Sequence, residues 1–359
     1  MDNFPGRAGG CDSDLVTAPQ PPIEPVPTRA LYPRLNPSAR LLWRTANSVQ
    51  LELGDRAVVL EGISAAAVQA ITAADGTPAP LRDRLGPVRH ALAEFLWPRA
   101  AGPDDPRLAP PAPRLAGELA ALSARHGERG AEVLNARRWA TVAIHGPGRV
   151  GPHIAAILAA AGIGRVYARE FGDVRLHQQQ PGGLGTQDEA TPFHTATAAA
   201  VHRVAPEAAT APHPQDERPD LVVLAYDEPI GDDRRDVLHL RGWTHLPIAV
   251  GPTGGVIGPL VIPGLTSCLR CADLHRSDRD PAWNALAVQL AVGRRRKEGS
   301  AVAAASVIAG AAAMQVLAYL DGENPAAVDG TIELHEPDWR LRRRTRGVHP
   351  DCGCHDAGR

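Results

Sequence analysis

Lysine is almost missing from this sequence: Lys297 is the only one, although Lys and Arg together number 38. Ala, Arg, Gly and Pro are all abundant, which reads as a GC-rich coding sequence rather than as a function. Arginine is left to supply almost every cation. A large charge of either sign is absent too. The formal net charge is -2, so nothing global points to nucleic acid or an acidic membrane surface as a partner. Residues Met1 to Pro27 are acidic and proline-rich and lack the apolar core of a signal peptide, which leads to the expectation of a cytoplasmic protein. Cysteine is scarce, with five residues, four of them in two close pairs. That usage suits metal ligation in a reducing compartment better than a disulfide framework. Long apolar runs are limited to Ala301 to Leu320, about the length of a spanning helix. This run is mostly alanine, contains Ser306 and Gln315, and follows the charged run Arg294 to Glu298. A buried or interface helix, and no membrane partner, is the expectation.

What is present fills two ordinary domains in 359 residues. Residues 1–30 read as a disordered tail. Residues 31–97 read as a small α+β, winged-helix-like module. In it, Ser48 to Leu53 alternates apolar and polar, Gly54-Asp55 turns, and Ala57 to Leu60 returns as the second strand of a hairpin. Helices are expected over Ser64 to Ala74, with Ser64 as N-cap, and over Leu85 to Leu96. Residues 98–113 form a Pro-rich linker. Residues 114–359 form an α/β nucleotide-binding domain with a Rossmann-like, mostly parallel sheet, led in by an amphipathic helix from Arg114 to His126. His177 to about Asp220 reads as a long, weakly structured connection, with a faint helical pattern from Thr195 to Ala205. Strands are expected at Asp220 to Ala225 and Leu246 to Val250, then hairpin material from Gly254 to Ile262.

The centre of the chain is Thr141 to Glu170. An apolar strand, Ala140 to Ile144, turns through Gly146-Pro-Gly-Arg-Val-Gly151 into an Ala/Ile/Leu-rich helix, His153 to Ala161. Gly162-Ile-Gly164 ends that helix, and a second strand, Val166 to Ala168, runs out at Glu170. Strand, G-x-G-x-x-G, helix, strand and acid follow the order of a nucleotide-binding βαβ unit. Gly146, Gly148 and Gly151 let the backbone approach phosphates at a helix N-terminus, and Glu170 can accept ribose hydroxyls. The competing reading is a glycine-rich turn with no ligand. Pro147 favours that reading, because it removes one N–H from the loop.

Cys268-Leu-Arg-Cys271 and Cys352-Gly-Cys354 each bring two thiolates within reach of one ion. Zn²⁺ prefers four tetrahedral soft ligands, and a closed Cys₄ set leaves no position for chemistry. Such an ion would pin the C-terminal tail to the loop after Pro263. A C-x-x-C pair alone also fits a redox motif. His349 and His355 flank the second pair as alternative ligands. Cys11, alone in the tail, reads as inert. The basic run Arg340 to Arg346 suits an acidic peptide or phosphate, or simply a solvated strand face.

From Trp139 to Cys354 these motifs together resemble the ThiF/MoeB, ubiquitin-activating-type adenylyltransferase superfamily. The resemblance rests on His145 to Gly151, on Gly162-Ile-Gly-Arg-Val166, on Asp227 at the end of a strand, and on the two cysteine pairs. The run Cys268 to Trp283 is similar to an actinobacterial branch near the leader-peptide-binding proteins of azole-forming peptide biosynthesis. There a small N-terminal module grips a precursor leader, a role that residues 31–97 would take. The resemblance implies Mg-ATP as cofactor, with Glu170 on the ribose and Asp227 on the metal, Asp227 being the candidate catalytic residue. It also implies a peptide or small carrier protein as partner, a partner modifying enzyme beside it, and is compatible with a homodimer.

Two expected cations are poorly matched. Relatives place an Asn and an Arg where this chain has Val174 to Pro181. The usual lysine before the metal-binding Asp is absent, because Lys297 lies beyond Asp227. A cation on the phosphates is a main electrostatic contribution to this chemistry, so adenylation is weakened unless Arg149 or Arg203 substitutes. Three readings follow: a peptide- or carrier-binding protein with a degenerate adenylation site, an active adenylyltransferase of a ubiquitin-like sulfur carrier, or an NAD-dependent oxidoreductase built on the same βαβ unit.

Overall fold

A computed structural model of the chain describes residues 34–35, 40–52, 57–62, 96–97, 112–170, 172–212, 218–226, 237–292 and 299–354. The tail 1–30, the helix expected at Ser64 to Ala74, residues 98–111 of the linker, Asp227, Lys297 and His355 lie outside the described residues. The chain divides into two compact units, 1–102 with 120–131, and 103–119 with 132–359.

In the smaller unit, Arg34–Leu35 (β1) pairs antiparallel with Leu96–Trp97 (β5). Leu41–Thr45 (β2), Ser48–Leu51 (β3) and Val58–Glu61 (β4) form a three-stranded antiparallel sheet. The expected hairpin is present as β3–β4, with Val49 opposite Leu60. Alternation revealed it, since Val49 and Leu51 are both buried. Strand β2 has no such pattern, its residues being almost all exposed, and it was not expected. Most of the helix expected at Leu85 to Leu96 is outside the described residues, but its last residue, Leu96, is in a strand.

Ala116–His126 (α1), the expected amphipathic helix, and Gly130–Arg137 (α2) precede the central sheet of the larger unit in the chain. Its strands are Thr141–His145 (β6), Arg165–Ala168 (β7), Leu221–Ala225 (β8), His245–Gly251 (β9), Gly254–Ile257 (β10), Gly330–His335 (β11) and Arg340–Thr345 (β12). They lie in the order β12-β11-β10-β9-β8-β6-β7. The four strands β7, β6, β8 and β9 are parallel, whereas β9 to β12 are joined antiparallel. The sheet is therefore mixed: a parallel half carries the glycine loop, and a meander carries the C-terminal part.

Three helices pack with the sheet: Val150–Ala160 (α3), Phe193–His202 (α4) and Val302–Leu320 (α7). Strand alternation sorts the core. Val142 and Ile144 of β6 join Leu221, Val223 and Ala225 of β8 against α3 and α7. Ala143, Val222 and Leu224 face the other way, with Tyr167 and Leu238. Helix α7 is long and apolar enough to cross a membrane, yet Ala305, Ile308, Ala309, Ala312 and Val316 are core residues. This is the buried helix expected from its alanine content.

Helix α3 stops as its sequence prescribes. Gly162 takes φ +99°, and the Ile163 N–H reaches back to the Leu158 carbonyl at 3.1 Å, the bond of a Schellman cap that favours glycine. Below it lies a contact that no motif announced. Arg137, at the end of α2, makes two parallel bonds to Asp321, at 2.8 and 2.7 Å, and a third to Glu118 at 2.9 Å. The Arg137 and Asp321 side chains are 3% and 1% exposed. Burial opposes the charged guanidinium, and the bonds to Asp321 and Glu118 outweigh it, holding its pKa above the ordinary value.

Candidate functional site

The glycine loop sits at the carboxyl edge of the parallel strands, where open α/β sheets bind ligands. β6 and β7 run in register, Ile144 opposite Ala168, so the loop after β6 and Glu170 after β7 leave the sheet side by side. Glu170 is half-buried. Asp227 follows β8 on the same edge in sequence but lies outside the described residues, and Tyr226 is the last one before it.

Close packing explains the glycines. Gly146 has φ +103°, and a Cβ there would lie 2.4 Å from the Ala225 carbonyl oxygen. A Cβ on Gly151 would stand 3.0 Å from Ile144 and 3.2 Å from Ala225. Both glycines are needed for the loop to fit against the end of β8. The polar groups of the loop are partly used by that fit. The Gly148 N–H donates to the Ala225 carbonyl at 2.9 Å, and the Gly151 N–H to Gly148 at 3.1 Å. Pro147 has no N–H, and its carbonyl accepts from Gln178 at 2.7 Å.

Arg149 and Arg203, the candidates from the sequence for replacing the absent cations, are likewise engaged. Arg149 donates to the Ser300 carbonyl at 2.7 Å, to the Ser300 hydroxyl at 3.1 Å and to the Gln179 carbonyl at 2.5 Å. Arg203 donates to the Gly183 carbonyl at 2.6 Å. Together with Gln179, Gln180, Gly182 and Val302, these arginines line a cavity of about 720 Å³ beside the loop. Its wall is the segment read from sequence as a weakly structured connection. That segment is held by side-chain caps: Gln178 accepts the Arg175 N–H, and Asp188 accepts the Gly185 N–H, both at 2.7 Å. Val174, Leu184, Phe193 and Ala196 form a small core beneath it. Turns of this kind carry no period, so pattern reading passes over them.

The cysteine pairs do converge. Cys268 stands at the N-cap position of Leu269–Ser277 (α5), which Trp283–Val292 (α6) follows in the chain; Cys271 lies in the first turn of α5, and the tail brings Cys352 and Cys354 alongside. The Sγ atoms of Cys268 and Cys271 are 3.7 Å apart, those of Cys268 and Cys352 3.6 Å, and those of Cys271 and Cys354 3.5 Å. All four sulfurs lie within 4.8 Å of one another. Those separations are far too long for disulfides and close to the edge, about 3.8 Å, of a tetrahedron with 2.3 Å metal–sulfur bonds. Burial, reinforced by the neighbouring thiols, pushes Cys268 up to about 11 and raises Cys354 further. Cys271 goes the other way: burial is outweighed by hydrogen bonds from the His349 and Cys268 backbone and from the neighbouring thiols, and its pKa lies below the ordinary value.

His349 is engaged elsewhere. Its Nδ1 accepts the Asp351 N–H at 3.1 Å, which leaves Nε2 to donate to Asp278 at 2.8 Å. His275 bonds the Gly347 carbonyl at 3.0 Å. These contacts fasten the tail to α5 instead of supplying ligands. Asp273 is equally occupied, accepting from Arg276 and from the Trp283 indole.

The sheet order, the glycine loop against β8 and the buried thiols together invite comparison with solved proteins. E. coli MccB bound to ATP superposes with a TM-score of 0.66 at 15% identity, over 89% of this chain and 98% of MccB. The chain has the MccB fold. The microcin C7 biosynthetic enzyme MccB in complex with N-formylated MccA matches with a TM-score of 0.65 at 15% identity, covering 90% of this chain and 99% of the other. PaaA matches with 0.57 at 15% identity over 73% of this chain and 92% of its own. No family model and no curated protein matches the sequence.

Proposed function

We propose that the chain binds a peptide or small carrier protein and, weakly, ATP, through a ThiF-like site whose adenylation capacity is degenerate, and that it works in the cytoplasm beside a partner modifying enzyme. The observation that carries this reading is that the MccB fold is kept while part of the loop's polar groups is taken by the chain itself. The Gly148 N–H, both terminal nitrogens of Arg149 and one terminal nitrogen of Arg203 already donate to the chain, Pro147 has no N–H, and Lys297 is the only lysine. Solved MccB complexes with ATP and with N-formylated MccA support pairing a nucleotide with a second ligand in this fold. In this reading Glu170 accepts the ribose hydroxyls, Gly146, Gly148 and Gly151 admit the phosphates, Asp227 holds Mg²⁺, and residues 31–97 form a winged-helix-like grip for the peptide.

Cys268, Cys271, Cys352 and Cys354 would hold a closed Zn²⁺ centre. Four thiolates leave such an ion no free position, so its contribution is to stability. Their buried, unbridged state suits a reducing compartment.

The second reading, an active adenylyltransferase, is favoured by the match to ATP-bound MccB. Pyrophosphate exchange with the candidate peptide separates the two. Loss of the phosphate cations is worth about 3 kcal/mol of transition-state stabilisation, roughly a hundredfold in rate. Exchange near background, little changed by Asp227→Ala, is expected. Strong exchange abolished by Asp227→Ala establishes the catalytic reading instead.

A further inference from the structure

The strand β12 lies at the opposite edge of the sheet, five strand spacings or roughly 24 Å from β6. All six of its residues are exposed. In the antiparallel pairing with β11, Arg346 donates to the Asp329 carbonyl, and the register sets Arg342 opposite Glu333 and Arg344 opposite Thr331. Residues 340, 342, 344 and 346 therefore bond inward. Alternation then turns the N–H and C=O groups of Leu341, Arg343 and Thr345 outward, where they have no backbone partner among the described residues.

The side chains along this edge are strongly basic. Arg340, Arg342 and Arg344 share one face, and the Arg340 and Arg344 side chains are 78% and 55% exposed. Helix α5 adds Arg276 and the turn after it adds Arg279, because the end of the helix is fastened to the same tail through His275–Gly347 and Asp278–His349. Asp338 pairs with Arg340 and Arg342, Glu333 with Arg344 and more distantly with Arg346, and Asp273 with Arg276. Three carboxylates thus serve five guanidinium groups, and the sixth, Arg279, donates to the His275 carbonyl. Burial, with repulsion from Arg279, Arg276 and Arg344, holds the Arg346 pKa below its ordinary value despite Glu333. Like charges gathered beside a bare strand edge do not stabilise the fold, and the chain as a whole is slightly acidic.

We infer that the β12 edge, with Arg276 of α5 and Arg279 in the turn after it, is a docking surface for an acidic peptide segment that binds extended, as an eighth strand. Outward backbone groups at every second residue match a polypeptide, not a nucleic acid or a lipid surface. A six-residue strand offers about 20 Å of such edge. Charge complementarity sets the partner's composition, and the backbone ladder sets its conformation.

The test uses the full chain and a fluorescent decapeptide of alternating Glu and Val, followed by anisotropy. A second decapeptide of the same sequence, N-methylated at alternate residues, keeps the charge and removes the ladder. Binding of the first should weaken at least about tenfold on N-methylation and again in Arg340→Glu/Arg344→Glu, where two exposed side chains are reversed. Equal binding of the two peptides, indifference to the charge reversal, or tighter binding of a single-stranded oligonucleotide or an anionic vesicle overturns the proposal. The peptide pair needs no variant, so a poorly folded double substitution cannot obscure the outcome.

Discussion

The glycine loop and the thiol cluster were both readable as motifs, but folding treats them in opposite ways. At the cluster, side chains from residues 268 to 354 arrive with their ligand atoms pointed at a common centre. At the loop, one short stretch supplies backbone, and the fold uses part of that backbone to hold the loop on β8. A site assembled from side chains across the sequence exists only if the tertiary fold makes it. A loop assembled from local backbone can persist as architecture after its ligand role has weakened.

The largest test of this contrast is Cys352→Ser. If the thiols hold Zn²⁺, the ion contributes on the order of 10–16 kcal/mol to folding. Metal analysis should find about one zinc per chain in the wild type and a clear drop in the variant, with chelator-sensitive unfolding. A metal-free wild type that is fully folded would remove the centre from the account.

Next comes Arg137→Met, another side-chain feature that joins distant parts of the sequence. It leaves Asp321 buried without its partner, at an expected cost of about 3–5 kcal/mol in denaturant unfolding. Replacing both, as Arg137→Met/Asp321→Leu, should recover much of the loss. A single variant as stable as the wild type would show that the pair contributes little.

His245 gives a smaller effect with a pH signature. Burial lowers its pKa to about 4, opposed by the bond to the Trp243 carbonyl, with His239 adding to the depression. The ring is neutral when folded and must gain a proton on unfolding below its ordinary pKa near 6.5. The unfolded chain therefore binds more protons between about pH 4 and 6.5, and stability falls as pH drops through that window, by about 3 kcal/mol. In His245→Asn, whose amide can still donate to Trp243, that part of the pH slope should vanish. An unchanged slope would assign it to other groups.

The smallest expected effect is on the loop. Gly146→Ala must relieve a 2.4 Å approach to the Ala225 carbonyl at positive φ, which costs about 1–3 kcal/mol and should lower the urea midpoint modestly. A loss as large as that of Cys352→Ser would erase the distinction between the two motifs.

These contrasts also explain what the sequence revealed. The βαβ unit was legible because a buried strand, a glycine turn and an apolar helix each have their own period, and the β3–β4 hairpin because Val49 and Leu51 alternate with polar neighbours. The thiol cluster was legible because two residues of each pair are adjacent. Arg137 was not, since its partner Asp321 is 184 positions away and neither stands in a motif. The stretch from His177 to about Asp220 reads as loose because the order at its start comes from Gln178 and Asp188 bonding to local backbone, which leaves no repeating apolar signal. Arg149 and Arg203 are legible in the sequence as charges that could replace the absent cations, but nothing in it indicates that carbonyl oxygens accept from them.

The bonds of Arg149 have a mechanical consequence. One rigid, planar guanidinium ties the glycine loop to Gln179 in the crossover segment and to Ser300 just before α7. A planar fork tolerates little rotation before its bonds lengthen, so the three segments cannot be displaced independently. Moving the loop therefore stretches or breaks bonds both to the cavity wall and to the residue that leads towards α7.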